Sequence, residues 1–162
     1  AGTVPGGMLR RCDALTDLNL RVGGGAGAFA GIALVLVDAH TEGYAEMVAR
    51  IIQQKRRGVI IGDYTMGRVV VEKLFYQSRG ASFSFATAAV LVPTGEVVMA
   101  DGVKLDGKGV APDLLLRPAG ADLAGGRDIV LTKALAMFKQ TVTPEEANKL
   151  VRLPSEDDDD NE

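Results

Sequence analysis

The chain has little with which to hold a metal or cross-link itself. Its 162 residues include one cysteine, Cys12, and one histidine, His40. A lone cysteine excludes an intramolecular disulfide and a cysteine zinc cluster, and a lone histidine removes most histidine-based metal sites. No metal and no cofactor is expected, and Cys12 reads as a small core residue. No apolar run approaches the roughly 20 residues that cross a bilayer, so no membrane span is expected. The opening Ala1-Gly2-Thr3-Val4-Pro5 lacks a signal-peptide layout. It reads as the inside of a loop, which marks the chain as a piece of a longer protein. No basic run exceeds Lys55-Arg56-Arg57, and nucleic acid is not an expected partner.

The formal net charge of −3 hides an uneven distribution. Glu156, Asp157, Asp158, Asp159, Asp160 and Glu162 hold six of the 21 acidic residues, so residues 1–155 carry 18 basic groups against 15 acidic ones, a net of +3. The acidic end, 155–162, reads as a solvated, disordered tail. With 47% hydrophobic residues, the rest suffices for one sizeable core. The expected organisation is one domain over 1–141, a short C-terminal helix within 142–154, and the tail.

Met8, Cys12 and Leu15 fall at helical spacing and predict a first helix ending before a Gly23-Gly24-Gly25 linker. Ile32 to Val37 is a branched apolar run expected of a strand buried on both faces. Tyr44, Met47, Val48, Ile51 and Ile52 line one face of a predicted helix, with Glu46, Arg50 and Gln54 opposite. Val59-Ile60-Ile61 follows as a strand, so residues 32–61 read as a parallel strand-helix-strand crossover. Strands are then expected over Val69–Tyr76 and Ser82–Val92. Pro93-Thr94-Gly95 reads as a turn, Val97-Val98-Met99 as a short strand, and Leu114-Leu115-Leu116 as another. Leu131, Ala134, Leu135 and Phe138 mark a helix opening near Asp128. Thr143 as cap, Pro144 at the first position and Glu146 in a capping box start the last helix. There is no internal repeat, and the fold class is α/β, layered.

A strand that turns directly into a helix is a favourable place for a nucleophile, because the helix's first free N–H groups stabilise an oxyanion. Here that turn is Asp38 to Gly43. Val35-Leu36-Val37-Asp38 followed by Thr41-Glu42-Gly43-Tyr44-Ala45-Glu46 resembles the nucleophile segment of the C-terminal processing, or tail-specific, serine proteases. Three more blocks resemble that family in the same order. Pro5-Gly6-Gly7 is similar to its Asn-Pro-Gly-Gly oxyanion loop, and Gly62-Asp63-Tyr64-Thr65-Met66-Gly67-Arg68 to the stretch delivering its general-base lysine. Pro93-Thr94-Gly95 with Gly107-Lys108-Gly109-Val110-Ala111-Pro112-Asp113 is similar to its downstream turn and signature.

The resemblance implies a crotonase-like fold, an upstream peptide-binding PDZ-like module outside this chain, cleavage near protein C-termini, and an extracytoplasmic or organelle-lumen setting. It also implies roles that the residues present do not fill. Gly43 occupies the nucleophile position with the serine lost, Arg68 the general-base position with the lysine lost, and Glu72 that of a supporting glutamine. Gly6, Gly7 and the Tyr44 N–H match the oxyanion-hole donors. Glycine cannot attack a carbonyl, and a guanidinium stays protonated where a lysine amine can be made neutral. The expected function is a catalytically inactive, pseudoprotease domain that binds peptides or a partner protein, with Arg68 and Glu72 as an ion pair in the former proton-transfer site.

Rival readings stand beside it. One is an active serine-type endopeptidase using other residues, or residues of a neighbouring subunit; another is a module for small apolar ligands; a third is an assembly domain forming homo-oligomers. Among single residues, Gly43 alone is a flexible helix-start glycine, Arg68 and Glu72 an ordinary surface pair, and Glu46 either a first-turn acid or a site residue. His40 and Thr41 would make an improvised imidazole/hydroxyl pair. Tyr44 is expected on the core face of its helix. Ser82 and Ser84 alternate with Phe83 and Phe85 as two faces of a strand.

Overall fold

Eleven elements follow one another in a computed structural model that describes residues 4–12, 18–23, 26, 28–79 and 85–151. They are β1 (Val4–Arg11), β2 (Leu18–Val22), β3 (Ala33–Val37), α1 (Tyr44–Gln54), β4 (Gly58–Gly62), β5 (Val70–Arg79), β6 (Phe85–Met99), β7 (Leu114–Leu115), α2 (Gly120–Ala124), α3 (Ile129–Met137) and α4 (Pro144–Leu150). The class is mixed α/β. Four strands form an antiparallel sheet in the order β2-β1-β6-β5, and three form a parallel sheet in the order β3-β4-β7.

The crossover legible in residues 32–61 is present. β3 and β4 run parallel, Ala33 opposite Gly58 through Val37 opposite Gly62, with α1 between them. α1 is covered from two sides. Met47 joins Val69, Val97, Met99, Leu105 and Val110 in one buried cluster, whereas Ala49 joins Val37 and Ile60 in another. Residues two apart on a helix point in nearly opposite directions, so a helix feeding both clusters keeps only a narrow solvent stripe. That stripe is not where the periodicity put it. Tyr44 is 78% exposed and Val48 is exposed, while Glu46, expected on the polar face, has no exposed surface.

Three further expectations are corrected. Residues Met8 to Cys12 are not helical: β1 lies between β2 and β6, and Cys12, expected in the core, is exposed, its N–H donating to the Thr94 carbonyl at 2.7 Å. The non-local ladder overrides a weak local spacing. Pro93-Thr94-Gly95 does not reverse the chain and Val97–Met99 is not separate, because β6 runs unbroken through both. Its register against β5 shifts from Val71 opposite Gly95 to Glu72 opposite Pro93. Thr94 is the extra residue of a bulge beside Pro93, and prolines within sheets are tolerated next to such irregularities. Leu36 is 41% exposed, so β3 is not buried on both faces, and Ile32, 69% exposed, precedes the strand. The last two predicted helices are in place, α3 capped by Asp128 and α4 by Thr143. Leu15, Gly24, Gly25, Ser82, Phe83, Ser84 and the acidic tail lie outside the described residues.

Candidate functional site

Where β3 ends, the chain turns through Asp38–Gly43 and enters α1. The Asp38 carboxylate closes this turn, its Oδ1 accepting from the His40 N–H at 3.0 Å and the Thr41 hydroxyl at 3.0 Å. Thr41 is thereby spent on its own turn. Among the described residues the His40 imidazole makes no hydrogen bond, so the two do not form a pair. Gly43 is the N-cap of α1, with φ 63° and ψ −127°. This left-handed conformation favours glycine, and a Cβ placed there would meet only the Arg68 carbonyl, at 3.9 Å. The position is strained for a side chain but sterically open.

Arg68 stands beside it. The Gly43 N–H donates to the Arg68 carbonyl at 2.9 Å, and the Met66 N–H to the Thr41 carbonyl at 2.9 Å, so the Asp38–Gly43 turn and the 65–68 loop lie together. The Arg68 guanidinium, half exposed, lies 3.4 Å from Glu72 and 3.4 Å from Glu42. Hydrogen bonding to Glu72, then the charges of Glu72 and Glu42, raise its pKa above the already high ordinary value. It has no access to a neutral form. Tyr44 is the first residue of α1. Gly6 and Gly7 lie elsewhere, on β1: a Cβ on Gly6 would meet Ile51, two turns along α1 from Tyr44, and Gly7 pairs with Met99. Neither lines the nook of about 30 Å³ bounded by Gly43, Tyr44, Met47, Val69, Val71 and Val97.

What fastens this geometry is Glu46. Its Oε1 accepts from the Gly43 N–H at 3.2 Å and the Arg68 N–H at 2.9 Å, and its Oε2 from the Gly67 N–H at 2.8 Å and from the Thr65 hydroxyl. One carboxylate with zero exposure thus ties the α1 N-terminus to the 65–68 loop, each charge-assisted bond being among the stronger kind. Thr65 passes the linkage on. It accepts from the Val110 N–H at 2.7 Å while the Thr65 N–H donates to the Val110 carbonyl at 3.2 Å. Gly67 adds a close approach: at φ +74° a Cβ would sit 2.7 Å from the Gly109 nitrogen. Asp113, ending the downstream signature, accepts from the Ile60 N–H at 2.9 Å and from Gln53 at 2.8 Å, joining β4 to α1. Sequence periodicity put Glu46 on the wet face; the one available signal was its place three residues after Gly43 in the motif.

Residues 8–116 match the profile of peptidase family S41. The chain belongs to that family. The match spans Gly43, Arg68, Glu72 and Asp113 and begins just after Gly7. No curated protein matches this S41 chain. Among solved structures it is similar to a candidate peptidase from Parabacteroides merdae, with a TM-score of 0.65 and 13% identity over 86% of this chain and 44% of that one. It is also similar to a photosystem II D1 C-terminal processing protease, with a TM-score of 0.46 and 22% identity over 69% of this chain and 27% of that one. At such identities the first likeness speaks for the fold alone. The S41 chain spans less than half of either structure.

Proposed function

We propose that this S41 domain is a catalytically inactive, pseudoprotease member of its family that keeps the protease frame to bind an extended peptide or a partner chain. The reading is carried by one observation: a glycine at the sterically open N-cap of α1 lies hydrogen-bonded to an arginine whose guanidinium is held by two carboxylates. Glycine brings no nucleophile, and the guanidinium cannot be a base. In a serine protease, loss of the nucleophile alone removes on the order of 10⁶ in turnover. Gly43, Arg68 and Glu72 are the former nucleophile, base and support positions, and the Tyr44 N–H that of an oxyanion-hole donor, whereas Gly6 and Gly7, on β1, do not line the nook beside Gly43. The fold reading that accompanies this is crotonase-like, residues 1–141 forming the domain proper. Kinship with processing proteases favours an extracytoplasmic setting and an upstream PDZ-like module.

The nook beside Gly43 disfavours the small-ligand rival at this point. About 30 Å³ holds a methyl group or a water, whereas ligand sites run from about 300 Å³ upward. The deciding experiment is digestion of an unstructured test protein by the parent and by a variant carrying Gly43→Ser, Arg68→Lys and Glu72→Gln. The parent is expected to be inert and the variant to cleave. Cleavage by the parent would overturn the reading.

A further inference from the structure

Beyond the 38–43 turn from the Gly43 nook lies a second, larger recess. The carboxyl ends of β3, β4 and β7 open on a cleft of about 290 Å³ with an apolar lining that includes Val37, Leu116, Pro118 and Val130. Three carboxylates, Asp38, Asp63 and Asp128, share the same lining. In open parallel sheets, ligands gather at the carboxyl ends of the strands, where connecting loops diverge.

The charges there are unevenly balanced. Asp63 Oδ1 accepts from Arg117 Nε at 2.6 Å, and that guanidinium stands 5.7 Å from the Tyr64 ring centre. Asp38 and Asp128 spend one oxygen each on backbone or turn bonds, the latter on the Leu131 N–H at 2.7 Å. Among the described residues neither of them forms an ion pair. Two uncompensated carboxylates beside apolar walls favour an occupant with an apolar stem and a cationic head, the build of lysine and arginine side chains. The volume lies just under the range of small-molecule sites and suits one long side chain. Arg117 on Asp63 is an example, within the chain, of the same recognition.

We infer that this cleft is a docking pocket for a basic side chain, lysine or arginine, presented by a partner polypeptide. The inference goes beyond the peptide-groove reading and stands whether or not the protein cleaves. Its test is a titration of the isotopically labelled protein with acetyl-Ala-Arg-Ala-amide, followed by amide chemical shifts. The norleucine tripeptide serves as the neutral control. Saturable shifts are expected at Asp38, Asp63 and Val130, with the norleucine peptide about tenfold weaker. Affinity should fall as ionic strength rises from about 0.01 M to about 0.15 M, which shortens the screening length from about 30 Å to about 8 Å. Asp38→Asn with Asp128→Asn keeps the turn and cap acceptors while deleting both charges, and should weaken arginine-peptide binding about tenfold with the remaining spectrum unchanged. Equal binding of the norleucine peptide, unaltered affinity in the double variant, or shifts absent from the cleft would each overturn the proposal.

Discussion

At position 46 a carboxylate without exposed surface holds four donors belonging to Gly43, Thr65, Gly67 and Arg68. Removing it takes their acceptor from the Gly67 and Arg68 N–H groups and the Thr65 hydroxyl, while the Gly43 N–H keeps the Arg68 carbonyl, and each buried group left unpaired costs about 1–3 kcal/mol. Glu46→Ala should therefore destabilise the protein by about 3 kcal/mol or more in urea unfolding; a loss below about 1 kcal/mol would show that the network does not fasten the loops. Gly43→Ser is expected to behave differently. The new Cβ meets only the Arg68 carbonyl, at 3.9 Å, so the cost is that of a non-glycine residue at positive φ, about 1–2 kcal/mol, with the fold retained. A variant that fails to fold would mean that the N-cap of α1 tolerates no side chain. Gly43 and Arg68 were legible as candidate site residues from the motif around them. Glu46 as their common anchor was not, because its four donors come from residues up to 22 positions away.

Elements differ in how far their own sequence explains them. The start of α4 is local chemistry: Thr143 Oγ1 accepts from the Glu146 N–H at 3.2 Å, and Glu146 Oε2 accepts from the Thr143 N–H at 2.8 Å. Thr143→Ala should cost about 1 kcal/mol, measured by thermal unfolding, and Thr143→Ser should recover most of it. The backbone hydrogen bond from Thr143 holds the Glu146 carboxyl below its ordinary 4.5. The cap is thus at full strength above that value and weakens as pH falls through the lower folded-state one. β1 and β6 are the opposite case. Spacing of Met8 and Cys12 fits a helix, and Pro93-Thr94-Gly95 has the composition of a turn. Ladder bonds to distant partners make the first a central strand and the second a bulge.

Across the whole molecule, several carboxylates are paired in the same sense. Hydrogen bonds from Arg117 to Asp63 and from Lys104 to Glu96, foremost among their causes, lower both carboxyl pKa values as Thr143 lowers that of Glu146. Groups that bind protons less tightly when folded stabilise fully above their ordinary values, 3.8 for Asp63 and 4.5 for Glu96, and lose that stabilisation as pH falls further. Melting temperature should therefore be flat near neutrality and decline below about pH 4.5; a rise on acidification would contradict these pairings. The β5–β6 ribbon leaves Leu74, Phe75, Tyr76, Val90, Leu91 and Val92 exposed, and among the described residues no strand pairs with the outer edge of β5. An apolar ribbon with an open edge associates, so the sedimentation coefficient should rise with concentration, and Phe75→Lys with Val90→Lys should suppress the rise. By itself the sequence determined the β3-α1-β4 crossover, the capped helices at 129–137 and 144–150, and the family. These depend on contacts near in sequence or on residue identity. Only the tertiary structure decided that Glu46 is buried, that Tyr44 faces solvent, that β1 is a strand, and that three aspartates from three loops share one cleft. Each of those follows from where distant segments meet, because α1 is enclosed by two sheets and the parallel strands bring their carboxyl ends together.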